Sequence, residues 1–342
     1  MRNYFSGIVG NQKLTERLSM DIEENKIPHA LIIEGDTGSG RHTVVKYFAA
    51  ALSCERRNGS EALPCRKCPS CEKIFGEKSP DIIKIGLEGE KTSIGVDAVR
   101  FMKTDIFVEP NDLKYKFYII EDAEKMTVQA QNAFLLSLEE PPPYVVFILI
   151  CNNSSLLLET VRSRALTVRT ERLSPQIMRD YLLTESKEAK SLFQTSGDEF
   201  EELLLSCDGS IGRALMLLNS KERKKLFSDR DIASKIISLA ADRDLKKAFD
   251  ILSALGQKRQ EICQRLLLVQ TAVRDLIVLK KCEKPELCFY TDTEKAGEIS
   301  THFTLSSLFD IYGAAAEAVD CLEKNANVRL TLLNMFIASK LL

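Results

Sequence analysis

What this chain lacks narrows its function before what it contains does. It has no excess of basic residues: 47 Lys and Arg stand against 49 Asp and Glu, a net charge of −2. A surface that coats nucleic acid unaided is therefore excluded, and any contact with DNA has to be local or made in company. It has no long apolar run: none approaches the roughly 20 residues that cross a bilayer. The opening residues, 1–6, contain no apolar signal core. The expected setting is cytoplasmic, with no membrane partner. No internal repeat or low-complexity segment stands out. Tryptophan is absent as well, which excludes nothing.

What is present supports real cores. A chain of 342 residues that is 44% hydrophobic is expected to form two or three domains. Of its ten cysteines, four cluster and six are scattered, and in a reducing cytosol a cluster points to metal rather than to disulfides.

One stretch organises the rest. Leu31–Glu34 is an apolar run that reads as a buried strand, Gly35, Gly38 and Gly40 form a tight turn, and a helix begins near Thr43. This is the layout of a phosphate-binding loop of the G-x-x-x-x-G-K-[ST] type. There, helix-start N–H groups cradle phosphates, the lysine reaches the terminal phosphate and the hydroxyl holds magnesium. Here Arg41 stands at the lysine position and His42 at the hydroxyl position. Thr43 carries a hydroxyl one residue too late, turned about 100° around the helix. The frame is present and the catalytic side chains are not, so magnesium-dependent hydrolysis is not expected. A glycine turn that binds no nucleotide is the alternative.

Cys54, Cys65, Cys68 and Cys71 follow in a C-x10-C-x2-C-x2-C arrangement. Two overlapping C-x-x-C steps curl three thiolates together, and Cys54 at a helix end can complete a tetrahedron. Zinc favours such closed sites, and Pro64 and Pro69 suit a tight knuckle. With four sulfurs no position remains for water, so the expected ion is one structural zinc per chain. A redox C-x-x-C pair is the alternative.

Further strands are expected at 80–85, 116–120 and 144–151, with helices at 94–107 and 128–140 between them. Glu121 and Asp122 end the strand at 116–120, where an NTPase holds magnesium and activates water. The usual order there is Asp then Glu, so both carboxylates are displaced by a methylene. Residual magnesium binding and a purely structural strand end both stay open. Thr127 should cap the second helix, and Pro141–Pro143 should stop it. Asn152 and Asn153 follow the strand at 144–151, where an amide can sense a γ-phosphate or merely form a turn. Alternating strands and helices imply an α/β module with a parallel sheet covered on both faces. From Ser174 and Pro175 onward only helices are expected, at 177–183, 200–205, 209–215, 232–241, 246–255, 261–280, 305–324 and 328–341, with the charged run Lys221–Lys225 as a solvated linker.

The order of motifs resembles the bacterial replicative clamp loaders, an AAA+ family. The residues that carry the likeness are Ile8–Asn11, the loop Gly35–Thr43, the four-cysteine knuckle, Ile120–Glu124, Leu138–Pro142, and Ser163 with Arg164. It is strong over the first ~220 residues. The chain looks most like the delta-prime branch, because a gamma/tau motor subunit would carry Lys-Thr in the loop and an Asp-Glu pair. Ala165 stands where that family's Ser-Arg-Cys motif has cysteine, which leaves Arg164 in place. The resemblance implies an AAA+ module over 1–166 with the knuckle at 54–71 inserted, a helical lid over 167–220, and an all-α collar over 221–342. It also implies a non-motor subunit in a heteropentameric ring with gamma/tau and delta. Arg164, following Ser163, would reach in trans to the neighbour's ATP site while the ring places a sliding clamp on primed DNA. ATP and magnesium would not be used by this chain itself. A self-sufficient ATPase motor and a zinc-containing DNA-binding adaptor are the other readings.

Overall fold

Seven consecutive buried residues, Val145–Cys151, form the central strand of a five-stranded parallel sheet. The structure, a computed structural model, describes residues 4–56, 62–87, 89, 91–242, 255–256, 258–283 and 285–339. In chain order the strands are β1 (Ala30–Glu34), β2 (Ile82–Ile85), β3 (Lys116–Ile120), β4 (Val145–Cys151) and β5 (Leu166–Arg169). Their spatial order is β2-β3-β4-β1-β5, so β1 lies between β4 and β5.

The period-two alternation of β4 explains why the sheet is covered twice. Val146, Ile148 and Ile150 pack with Leu31 and Ile33 under helices α1 (Gln12–Glu23), α2 (Arg41–Ser53) and α3 (Pro69–Phe75). Val145, Phe147 and Leu149 face the other way, onto α4 (Val96–Asp105), α5 (Val128–Glu139) and the single turn α6 (Glu159–Arg162). Phe134 meets Phe147 edge to face at 5.1 Å between ring centroids. Each such side chain contributes about 1.5–3 kcal/mol by leaving water. Thr127 caps α5 by accepting from the Ala130 N–H, as its type and place predict. The buried Asp81 carboxylate accepts from the N–H groups of Asn111, Asp112 and Leu113 at 2.6–2.8 Å, fixing the approach to β3.

The chain divides into two compact units. One comprises the described residues up to Tyr181 together with Gly209–Gly212; the other comprises Leu182–Asp208 and the described residues from Arg213 onward. The helices after the sheet are α7 (Pro175–Glu185), α8 (Lys187–Thr195), α9 (Gly197–Ser206), α10 (Ile211–Leu218), α11 (Ser220–Asp242), α12 (Arg259–Lys281), α13 (Thr293–Thr301), α14 (Leu305–Glu323) and α15 (Val328–Ala338). The second unit has its own core, in which Ile236 of α11, Val269 and Val273 of α12, Leu308 and Ile311 of α14 and Phe336 of α15 are buried together. Asp275, fully buried, accepts from the N–H groups of Cys288, Phe289 and Tyr290 and so pins that segment to α12.

Three expectations change, and a fourth is not tested. Lys221–Lys225 is not a linker but part of α11, where charged side chains are tolerated on the exposed face of a long helix. Strand β5 is additional to the strands expected; its four residues are one edge of the sheet, and only Val168 is buried. Helices α8 and α13 also went unseen, being short and largely polar outside their caps. The helix expected at 246–255 falls outside the described residues save for Leu255.

Candidate functional site

β1 delivers the chain directly into the glycine loop. The Gly35 N–H donates to the Cys151 carbonyl at 3.1 Å, and a Cβ there would stand 1.8 Å from Thr170 Oγ1, so only glycine fits. Gly38 and Gly40 adopt φ of 81° and 91°, in the left-handed region that glycine supplies at no steric cost. α2 then begins at Arg41 with no side-chain cap, so its helix-start N–H groups are not taken by a capping side chain and suit an anion. The chain itself holds this loop in shape. Ser39 Oγ and Thr170 Oγ1 are 2.7 Å apart, Arg172 donates to Asp36 at 2.9 Å, and the Gly212 N–H donates to the Gly38 carbonyl at 3.0 Å. A Cβ on Gly212 would lie 2.8 Å from Gly38 Cα.

The side chains expected to replace lysine and threonine point in different directions. Arg41 is buried, with 6% of its surface exposed, and its Nη1 has no hydrogen-bond partner among the described residues. His42 is exposed, and its Nδ1 lies 3.8 Å from Glu121 Oε1. Thr43 is exposed one step further round α2. Neither strand-end acid is free. Glu121 faces His42, while Asp122, left-handed at φ 48°, pairs with Lys125 at 2.9 Å.

A residue given no role by the sequence reading stands in the middle of this group. Glu124 Oε1 accepts from both the backbone N–H (3.0 Å) and the Nδ2 (2.8 Å) of Asn152. Thr37 of the loop donates to Asn152 Oδ1 at 3.3 Å. The Glu124 Oε2 atom is buried with no hydrogen-bond partner among the described residues. Glu124 and Arg41 both act on Cys151, whose thiol is pushed up to about 12 by burial first and then by Glu124 and Glu34, with Arg41 opposing. Glu34 in turn accepts from Ser154 Oγ and pairs with Arg169. Only the fold reveals this: Glu124 lies 28 positions from Asn152, and no local spacing links them.

Arg164 sits just past α6, where Ser163 is the C-cap residue and returns its hydroxyl to the Thr160 carbonyl at 3.1 Å. Arg164 Nη1 donates to the same carbonyl at 3.1 Å and Nη2 to Glu139 Oε1 at 3.0 Å. The pairing is with Glu139 of α5 and not with Glu159 of its own turn. Its side chain keeps 38% of its surface exposed, whereas the Nε of Arg162 is buried.

The four cysteines converge as their spacing predicts. The sulfur atoms of Cys54, Cys65, Cys68 and Cys71 all lie within 4.8 Å of one another, and no other cluster of three or more metal-ligating side chains occurs among the described residues. A zinc tetrahedron with bonds of ~2.3 Å needs sulfurs ~3.8 Å apart, which small side-chain rotations supply. Burial raises the Cys71 and Cys54 thiols. Burial acts on Cys65 too, but N–H groups of Lys67 and Cys68 and the neighbouring thiols outweigh it and bring that thiol to about 7. Four crowded sulfurs cannot all ionise without a cation, so the donor set fits a metal such as zinc. The knuckle is fastened to α2 by Arg66, whose guanidinium is 5.0 Å from the ring centroids of both Tyr47 and Phe75.

Residues 10–174 match the family model described as "DNA polymerase III, delta subunit". The chain is 27% identical to the DNA polymerase III subunit gamma of Buchnera aphidicola over 286 residues, 82% of this chain and 71% of that protein. It is 29% identical to the DNA polymerase III subunit tau of Bacillus subtilis over 214 residues, 63% of this chain but only 37% of that protein. These matches support the clamp-loader AAA+ family. A solved DNA polymerase III gamma subunit-related protein of Thermotoga maritima aligns over 94% of this chain at 17% identity, with a TM-score of 0.45. No helix among the described residues is long and apolar enough to cross a membrane.

Proposed function

We propose that the chain is a non-motor, delta-prime-type subunit of a replicative clamp loader, which organises the ring and lends Arg164 to a neighbour's ATP site. The observation that carries this reading is the state of the nucleotide side chains. Most of the groups that a motor would turn toward magnesium or the terminal phosphate are engaged within the chain: His42 with Glu121, Asp122 with Lys125, Asn152 with Glu124; Arg41, at the lysine position, is buried. Arg164, by contrast, stays accessible at the edge of the first unit on a pair that a stronger anion can displace. Charge that develops during phosphoryl transfer is what such a guanidinium stabilises, worth ~10³–10⁵ in rate when supplied in trans. In this reading 167–220 acts as a lid and 221–342 as a collar. The partners are gamma/tau and delta subunits, the sliding clamp, and primed DNA met inside the assembly. The four cysteines hold one structural zinc.

The curated relatives favour a second reading, since they are named gamma and tau. In it the chain is itself an ATPase motor, with Arg41 acting as the lysine. Turnover by the purified chain in magnesium and ATP separates the two: the non-motor reading requires none.

A further inference from the structure

The loop's own surroundings supply an anion. We infer that the Glu124 carboxylate is a built-in substitute for the terminal phosphate of a nucleotide, and that it closes the loop to nucleoside triphosphates. The inference deepens the non-motor reading and rests on it in one respect, that Asn152 stands where a working site senses that phosphate.

Three observations converge. First, one oxygen of Glu124 accepts from both the backbone N–H and the Nδ2 of Asn152, at 3.0 and 2.8 Å, so the amide is aimed at a carboxylate of this chain. Second, Asn152 is joined to the loop through Thr37, so loop, amide and carboxylate form one continuous hydrogen-bonded path. Third, the remaining oxygen of Glu124 and the Nη1 of Arg41 are both buried and have no hydrogen-bond partner among the described residues.

Glu124 is held rigidly enough to play this part. It lies in the helical turn Ala123–Lys125, whose Ala123 is fully buried and whose Lys125 carbonyl accepts from the Ile94 N–H at 2.9 Å. A terminal phosphate entering the same space would meet a carboxylate at close range in a partly desolvated setting, where like charges repel strongly. A ligand that ends at the second phosphate would not reach it to the same extent. Glu124 is therefore a specificity-determining residue that selects against triphosphates.

The test is equilibrium binding of ATP and of ADP, with magnesium, to the full chain as wild type, Glu124→Ala and Glu124→Gln. The glutamine keeps an acceptor for Asn152 and removes only the charge, so it decides the matter if the alanine variant fails to fold. The expected result is that both variants bind ATP at least about tenfold more tightly than wild type, with a smaller gain for ADP. Unchanged ATP binding, or an equal gain for both nucleotides, would overturn the inference. So would tight ATP binding by the wild type; if that came without turnover, the non-motor reading would stand and only the role of Glu124 would fall.

Discussion

His42 Nδ1 lies 3.8 Å from Glu121 Oε1, an imidazole facing a carboxylate at the mouth of the glycine loop. In a loop of this kind those two positions hold a hydroxyl and an acid that share magnesium. Here they are turned on each other, and the second acid, Asp122, is turned on Lys125.

Restoring the loop's usual side chains should therefore not restore chemistry. The double variant Arg41→Lys, His42→Thr is expected to keep ATP turnover at background in a coupled phosphate-release assay. The reversed Glu121–Asp122 pair and the Glu124 carboxylate remain as they are. Measurable turnover would show that the two loop substitutions alone had silenced the site.

The knuckle yields a prediction about metal. Protein purified without chelator should contain one zinc per chain by elemental analysis. Cys71→Ser, at a fully buried position, should lose it. Chelation or that substitution should lower the melting temperature by roughly 5–10 °C, since a structural ion's binding energy is folding energy. Substoichiometric zinc in the wild type, with an unmoved melting curve, would point to free thiols.

Acid stability has a named contributor. Burial alone would push the Asp105 carboxyl up, but hydrogen bonds from Lys116 at 2.9 Å and Tyr118 at 2.7 Å outweigh it and hold the carboxyl below its usual range. A carboxyl depressed in the folded state stabilises above its unfolded pKa and loses that contribution as pH falls through its folded value. Wild-type stability should thus decline below about pH 4 partly through this group. Asp105→Asn should be less stable at neutral pH and show a shallower decline in that window, as measured by urea unfolding at a series of pH values.

In the helical unit, Asp275 does more than any surface pair. Removing its carboxylate takes the acceptor from the N–H groups of Cys288, Phe289 and Tyr290, and takes one of several acceptors from Arg274, which also donates to the Glu286 carbonyl and Cys288 Sγ. Asp275→Ala is expected to cost on the order of 3 kcal/mol in denaturant unfolding. A loss below about 0.5 kcal/mol, the scale of ordinary surface substitutions, would mean that the segment is held by other contacts.

Much of this architecture was legible because strong periodic signals and breakers coincide. Val145–Cys151 reads as a strand from its unbroken apolar run, Thr127 as a cap from its side chain, and the knuckle from two C-x-x-C steps. β5 escaped because four edge residues with one buried valine carry almost no hydrophobic signal. Lys221–Lys225 misled because charge marks a solvated face, and a helix has one as readily as a linker does. At the site, Arg41, His42, Glu121 and Asp122 could be placed by position, but what each one touches could not. The pairing of Asn152 with Glu124 depends on which strand ends the parallel sheet brings side by side, and that of Arg164 with Glu139 rather than Glu159 on α6 packing beside α5.

The account turns on Arg164, and one measurement tests it most directly. ATP turnover should be compared in a complete loader assembled from motor subunits, a delta-type subunit and either wild-type chain or Arg164→Ala. The surface pair with Glu139 contributes only about 0–1 kcal/mol, so the variant should fold and assemble normally. Loss of a trans-acting guanidinium should then depress turnover at the adjoining site by ~10³-fold or more, with the other motor sites setting the residual rate. Intact assembly with unchanged turnover would contradict the account and leave Arg164 a surface residue paired with Glu139.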